Sequence, residues 1–151
     1  MKNINIRRAT ESDVPELEKL FLITRQQTFH WENPNTFKLE DYKKATEGEI
    51  VFVAEDTQAG KILGFISVWT KEHPPFIHHL FVALEHQRQG IGTLLLNSLC
   101  SWLPLPYRLK CVAKNLPALR FYLKNKWLEV GRGTSEEGEY LLLELRKEKC
   151  L

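Results

Sequence analysis

The sequence lacks long hydrophobic runs and any segment typical of a targeting signal. No run approaches the ~18 apolar residues that a membrane-spanning helix requires. The first residues, MKNINIRR, contain no apolar stretch like that of a secretion signal. We therefore expect a cytoplasmic protein that has no membrane partner.

A strong excess of either charge is also missing. The 21 basic and 19 acidic residues give a formal net charge of +2. The basic residues do not form the stripe that binding to a phosphate backbone requires, so we expect no nucleic-acid partner. The sequence leaves the oligomeric state open, and a homodimer is one option.

Cysteine is scarce, and its spacing fits neither a disulfide framework nor a zinc knuckle. The three cysteines, Cys100, Cys111 and Cys150, are odd in number and form no Cys-x-x-Cys pair. We expect them to be reduced thiols, as is usual for a cytoplasmic protein.

No metal site is expected. The candidate ligands are His78, His79 and His86. Side chains of strand neighbours point to opposite faces, so His78 and His79 cannot bind one ion together.

The 151 residues, 43% of them hydrophobic, suit one domain with a full core. We expect residues 1–151 to form that single domain, because no repeat or linker interrupts the chain. The patterns predict a strand at 4–8, a helix that follows a cap at 10–13 and runs to about 27, a loop with a short helix near 39–45, strands at 50–54, 62–69 and 76–82, a helix at 91–102, a strand at 108–112, a helix at 116–126, and strands at 128–131 and 140–145.

Two glycines mark the point where a predicted strand gives way to a helix. Gly90 and Gly92 let the backbone approach a ligand, and the first turn of the helix favours an anion. A dinucleotide fingerprint would need a glycine where Leu95 stands, and the ending of a phosphate-binding Walker loop is absent. A simple glycine turn before an amphipathic helix is the alternative interpretation.

The spacing of Gln87, Gly90 and Gly92 resembles the cofactor motif Gln/Arg-x-x-Gly-x-Gly/Ala of the GNAT superfamily, the acetyl-CoA-dependent N-acetyltransferases. The resemblance extends over essentially the whole chain. It implies an α/β (α+β) fold: a mixed, mostly antiparallel sheet of six or seven strands flanked by about four helices. The sheet would be splayed between the strand ending near Val82 and the strand at 108–112. It also implies acetyl-CoA as the acetyl donor.

A second motif of the superfamily, Asn-x-x-Ala-x-x-Phe-Tyr, is met by Asn115, Ala118, Phe121 and Tyr122. By this resemblance Asn115 would contact the pantetheine arm of the cofactor. Tyr122 would lie beside the thioester sulfur and act as the general acid for the departing thiolate. The alternative for Tyr122 is a half-buried aromatic of the helix.

The resemblance also implies how the cofactor is held. The backbones of Phe81 and Val82 would bind the pantetheine arm like an added strand. The pyrophosphate would be wrapped by Gln87, Arg88, Gln89, Gly90, Ile91, Gly92 and Thr93.

Three residues depart from the common pattern of the superfamily. Leu84 stands where a proline is common, Arg88 where a first glycine is common, and Lys126 where a glycine often precedes the aromatic. The first two lie beside the pyrophosphate loop, and the third affects where the second helix ends.

His78 is the candidate general base. The arylalkylamine acetyltransferases carry a catalytic histidine four residues before a valine of this strand, and His78 has that spacing from Val82. An imidazole titrates near neutrality, which suits a base. Strand alternation places His78 on one face with Leu80 and Val82, and His79 on the other. The alternative is that His78 is only a packed or hydrogen-bonded strand residue.

Aromatic and polar residues outside the motifs are candidates for recognition of the acceptor. They could line an amine pocket through cation–π contacts, or they could cap the core. These residues are Phe29, His30, Trp31, Glu32, Trp69 and His73.

The function that these residues imply is transfer of an acetyl group to a primary amine of a small molecule, a peptide or a protein. The amine would attack the thioester directly in a ternary complex. Deprotonating a lysine-like amine at pH 7 requires about 4.6 kcal/mol, which is why a base would help. A non-catalytic module that senses acyl-CoA is the alternative.

Overall fold

The computed structural model describes residues 3–147, which contain seven strands and four α-helices. The strands are β1 (Ile4–Arg8), β2 (Ile50–Asp56), β3 (Lys61–Trp69), β4 (Phe76–Val82), β5 (Tyr107–Val112), β6 (Leu128–Ser135) and β7 (Gly138–Leu145). The helices are α1 (Val14–Thr28), α2 (Asp41–Ala45), α3 (Ile91–Asn97) and α4 (Leu116–Lys124).

All seven strands belong to one sheet in the order β1-β2-β3-β4-β5-β7-β6. Every neighbouring pair is antiparallel except β4 and β5. Among the described residues, that parallel pair has only two matched positions, Phe76 with Arg108 and Ile77 with Leu109. The predicted fold is therefore confirmed, including the divergence of the two strands.

The helices cover both faces of the sheet and create two cores. On one face, α3 and α4 pack over a large aliphatic cluster that includes Ile66, Leu95 and Leu143. On the other face, α1 and α2 cover an aromatic cluster around Phe21 and Phe65. Each face of the central strands is therefore buried, which explains the almost continuous apolar sequence of β3.

The hairpin of β6 and β7 is longer than the sequence pattern predicts. Its strands extend to Ser135 and begin again at Gly138, and a bulge lies between Glu129 and Gly131. At Gly133 an added Cβ would clash with the hydroxyl oxygen of Tyr140, so the missing side chain makes room for the tyrosine. Glycine lowers the strand propensity of this segment, but at Gly133 it allows the side chain from the neighbouring strand to pack against the backbone.

The helix after the Gly90 loop is shorter than predicted. Its α-helical part ends at Asn97, and a 3-10 helix continues it from Ser98 to Ser101. No helix of residues 3–147 is long and apolar enough to cross a membrane.

The cysteine prediction is wrong for Cys100, which is disulfide-bonded. Spacing along the chain does not show which side chains the fold brings together. Cys111 is a free, buried thiol, and burial raises its pKa to about 11. Cys150 lies outside the described residues.

Two of the departures from the family pattern occupy backbone conformations that favour glycine. Arg88 has φ +65° and Lys126 has φ +77°, in the left-handed region where a Cβ is unfavourable. Lys126 follows the last turn of α4, where the N–H of Trp127 donates to the carbonyl of Tyr122 (3.1 Å) and that of Lys126 to the carbonyl of Leu123 (3.3 Å). This is a Schellman motif, whose left-handed residue is usually glycine.

Replacing Lys126 with glycine should therefore stabilise the protein. We expect Lys126→Gly to raise the free energy of unfolding by ~1 kcal/mol, because the strain of a left-handed Cβ is removed. Urea denaturation measures this change. Lys126→Ala is the matched control, since it shortens the side chain but keeps the Cβ. Equal stability of the two variants would contradict the explanation.

Candidate functional site

A cleft opens in the sheet where β4 and β5 diverge. Beyond Ile77, β4 continues through residues 78–82 without any matched position in β5 among the described residues. Its backbone edge on that side can therefore accept an extended ligand as if it were another strand. The backbones of Phe81 and Val82, both predicted to bind a ligand in this way, lie in the diverging segment.

The loop that follows β4 is tied back to the strand. A short 3-10 helix, Leu84–His86, leads to Gln87, whose side-chain amide donates a hydrogen bond to the carbonyl of Val82 (3.1 Å). Leu84 is the first residue of that turn, which is the position that proline favours in helices. The structure thus accounts for the proline that is common there, and it gives Gln87 a role in holding the loop.

Gly90 leaves an open backbone surface at the start of α3. Its φ is +82°, and a Cβ added there would meet no described atom within 4 Å. Gly90 is the N-cap residue of α3 and has no side chain that could cap the first turn. The first N–H groups of a helix without such a cap face outward and favour an anion.

The predicted loop residues divide into buried and exposed positions. Ile91 is buried in the core and anchors the helix, whereas Arg88 and Gln89 are exposed and Thr93 is partly buried. A Cβ on Gly92 would lie 3.7 Å from the ring of Phe121 and 3.9 Å from Val82, in ordinary contact distance. Gly92 therefore marks the point where α3, α4 and β4 meet.

The second predicted motif lies on α4. The side-chain oxygen of Asn115 caps the helix by accepting a hydrogen bond from the N–H of Ala118 (3.4 Å). Tyr122 is 8% exposed and packs against Trp127 with ring centroids 5.6 Å apart. Burial raises the pKa of Tyr122, so its phenol keeps its proton at neutral pH. Its role as an acid stays a prediction.

His78 occupies a β-bulge, and this overturns one prediction. His79 is matched with Ser67 and Ile77 with Val68, so that His78 is an extra residue with no position opposite it in β3. The rings of His78 and His79 are only 6.1 Å apart. The expectation that they point to opposite faces is wrong, because the bulge interrupts the alternation of side chains.

The bulge also changes which residues share a face with His78. Ile77 joins Leu80 and Val82 in the core beneath α3, which is where alternation had placed His78. The ring of His79 packs 5.1 Å from that of Phe21 in α1. His78 thus lies on the α1 side of the sheet.

Glu49 contacts His78 and was not recognised in the sequence. Its carboxylate, 2% exposed, accepts a hydrogen bond from the Ser67 hydroxyl with one oxygen and contacts Nδ1 of His78 with the other. The nearest signal in the sequence is Ser67, the only hydroxyl residue in a strand that is apolar from Ile62 onward. A buried hydroxyl needs a partner, but the sequence does not say which one.

Of the residues predicted to recognise the acceptor, Trp69 reaches His78. Their rings are stacked with centroids 6.4 Å apart and an interplanar angle of 13°. The ring of Phe76 packs against the same imidazole at a tilt, with ring centroids 5.2 Å apart. His73 lies in the exposed loop between β3 and β4.

The other predicted acceptor residues form a separate group at the end of α1. Phe29 is buried and packs on Trp31, and the ring of His30 packs on the same indole. The indole N–H of Trp31 has no hydrogen-bond partner within residues 3–147, and Nζ of Lys114 lies 5.9 Å from its ring. Glu32 is partly buried beside it. Phe29 therefore caps the core, whereas Trp31 extends toward the end of β5.

Comparison with known proteins gives a family match. The family model described as acetyltransferase (GNAT) family matches residues 14–127. No curated protein sequence matches the chain.

Several solved structures share the fold at low sequence identity. An N-acetyltransferase, PaiA, from Thermoplasma acidophilum, solved with coenzyme A, is 16% identical with a TM-score of 0.79, over 96% of this chain and 99% of that one. Arabidopsis thaliana NAA60, solved with a bisubstrate analogue, is 19% identical with a TM-score of 0.71, over 97% of this chain and 100% of that one. The apo form of YjaB from Escherichia coli is 20% identical with a TM-score of 0.74, over 94% of this chain and 97% of that one.

The burial of His79 leads to a prediction about pH. Burial lowers the pKa of His79 to about 4, against an opposing effect of Glu49. Between pH 6.5 and 4 the unfolded chain therefore binds more protons at this residue than the folded chain does, and stability falls as the pH falls. Across this range the free energy of unfolding of His79→Gln should fall by roughly 3 kcal/mol less than that of the wild type. Urea denaturation at each pH measures this difference. His73→Gln, in an exposed loop, should behave as the wild type.

The explanation fails if the wild type and His79→Gln lose stability in parallel as the pH is lowered. Groups remote from His79 that titrate in the same range act equally in both proteins. Only the difference between the two curves therefore reports His79.

Proposed function

The chain belongs to the acetyltransferase (GNAT) family, and from this premise we propose that it transfers an acetyl group to a primary amine of a small molecule, a peptide or a protein. Membership makes the protein an acyltransferase with acetyl-CoA as the acetyl donor. The observation that carries the finer proposal is the cleft between β4 and β5, which opens beside the uncapped start of α3.

The residues around the cleft fit acetyl-CoA. The unmatched edge of β4 at Phe81 and Val82 can bind the amides of the pantetheine arm. The open backbone of Gly90 and the first turn of α3 can hold the pyrophosphate, and Arg88 adds positive charge there. The complex of the Thermoplasma protein with coenzyme A, in the same fold, supports this assignment.

The proposed mechanism is direct attack of the neutral amine on the thioester in a ternary complex. The donor supplies an activated acetyl group. His78 takes the proton of the amine, the new C–N bond forms as the C–S bond breaks, and Tyr122 can donate its phenolic proton to the departing sulfur. The complex of the Arabidopsis protein with a bisubstrate analogue supports binding of both substrates at once.

Two groups of residues are candidates for binding the acceptor amine, one beside His78 and one at the end of α1. Trp69 stacks on the imidazole. Trp31 and Glu32 belong to the separate group where the chain leaves α1. Aromatic faces and a carboxylate suit a cationic amine. We further propose that the protein acts in the cytoplasm without a nucleic-acid or membrane partner, and a homodimer remains compatible with this function.

Replacing Gly92 tests the cofactor assignment. We expect Gly92→Val to raise the dissociation constant for coenzyme A at least tenfold, ~1.4 kcal/mol, because a branched side chain fills the space where α3, α4 and β4 meet beside the loop. Isothermal titration calorimetry measures the affinity. Gly131→Val is the matched control: its Cβ would also make ordinary contacts, 3.6 Å from Leu142, but on the β6–β7 hairpin. Unchanged affinity in a folded Gly92→Val protein would reject the site.

Replacing His78 tests the chemistry. With an amine found by a thiol-release screen, His78→Ala should lower kcat/KM about 100-fold or more and leave coenzyme A binding unchanged. His79→Ala, which removes a partly buried ring packed on Phe21, should act mainly on stability. A wild-type protein that binds acetyl-CoA but acetylates no amine of a broad panel would favour the non-catalytic sensor.

A further inference from the structure

The carboxylate of Glu49 is buried without a strong counter-charge. It is 2% exposed, and no described lysine or arginine lies within ion-pair distance of it. Its two partners are the hydroxyl of Ser67, itself fully buried, and Nδ1 of His78. A carboxylate in such a place must be bound by donors, since an unpaired buried charge is strongly unfavourable.

This requirement selects one form of His78. An ionised carboxylate only accepts hydrogen bonds, so Nδ1 of the imidazole must carry a proton. In the neutral ring Nε2 then has the free lone pair. The imidazole is 37% exposed, and Nε2 is the nitrogen that is turned away from the buried carboxylate.

The backbone turn before Glu49 holds the residue in this position. The preceding turn is closed by a hydrogen bond from the N–H of Glu49 to the carbonyl of Thr46 (3.0 Å). Gly48 has φ +76°, and a Cβ there would lie 3.1 Å from the ring of Trp69. The turn therefore packs against the same indole that stacks on His78. Carboxylate, imidazole and indole form one connected unit.

The charged groups around His78 leave Glu49 as the acidic residue in contact with it. His79, next to it on β4, is neutral at pH 7 because burial lowers its pKa to about 4. Lys71 lies 5.1 Å from the ring of Trp69, and Lys110 of β5 lies 5.8 Å from the ring of Phe76. Each lysine thus lies beside an aromatic ring that contacts the imidazole.

We propose that Glu49 is a positioning residue, which fixes the tautomer and orientation of His78 so that Nε2 accepts the proton of the acceptor amine. This rests on the proposed function, with His78 as the base. Glu49 does not contact the reacting atoms itself. It holds the ring and stabilises the imidazolium that forms when His78 takes a proton.

The kinetic test compares Glu49→Gln with the wild type. Glutamine has nearly the same volume but no charge, and its amide can donate as well as accept. We expect kcat to fall at least about tenfold, the acidic limb of the pH–rate profile to move to lower pH, and the affinity for coenzyme A to stay unchanged. The double variant Glu49→Gln/His78→Ala should be no slower than His78→Ala alone, since one residue acts through the other.

A second measurement does not depend on turnover. Nitrogen-15 NMR of the imidazoles, with His78 assigned by its loss in His78→Ala, identifies which ring nitrogen carries the proton. We expect the Nδ1–H tautomer in the wild type and in Ser67→Ala, which keeps the carboxylate. In Glu49→Gln we expect a mixture of tautomers or the Nε2–H form.

The outcomes separate this proposal from the proposed function. An Nε2–H tautomer in the wild type, or a tautomer and pH–rate profile that Glu49→Gln leaves unchanged, overturns the role of Glu49. If the wild type acetylates no amine, the proposed function fails, and the NMR comparison still decides whether Glu49 orients His78. If Glu49→Gln does not fold, the tautomer of the wild type and of Ser67→Ala decides the question.

Discussion

The site depends on the short length over which β4 and β5 pair with each other. Two matched positions, at Phe76 and Ile77, hold together the halves of a seven-stranded sheet. Beyond them the strands diverge, and the backbone edge of β4 becomes available to a ligand instead of to a neighbouring strand. The α3 and α4 helices pack over the same face and meet β4 at Gly92. The gap can therefore exist in a stable protein because the core on the α3 side contains residues from both halves of the sheet and connects them.

The two faces of the sheet contribute different chemical groups to the candidate site. The α3 side supplies backbone groups: the open surface at Gly90 and the uncapped helix start, which suit the phosphates of a cofactor. The α1 side supplies side chains: an imidazole that contacts a buried carboxylate and stacks on an indole. In the proposed function, a donor bound along β4 would meet an acceptor that arrives from the face of α1.

Much of this could be predicted from the sequence, and the failures have a common cause. The glycine loop and the cap at Asn115 depend on residues close together in the chain, where local conformation determines the geometry. The left-handed positions at Arg88 and Lys126 were detectable as departures from a glycine pattern. The contact of Glu49 with His78 joins residues 29 positions apart, and the bulge is defined only by the register of β4 against β3. Neither register nor distant pairing can be obtained from periodicity in one chain.

The bulge makes His78 the one residue of β4 that the strand does not need. If it were deleted, Ile77 and His79 would become neighbours, would keep their present partners Val68 and Ser67, and would restore the regular alternation of side chains. Every other residue of β4 is matched with a residue of β3, and this pairing commits its side chain to one face. The sheet is therefore independent of the imidazole on which the proposed chemistry relies, and a descendant of this chain could lose that chemistry by a single codon deletion while keeping its architecture and its cleft.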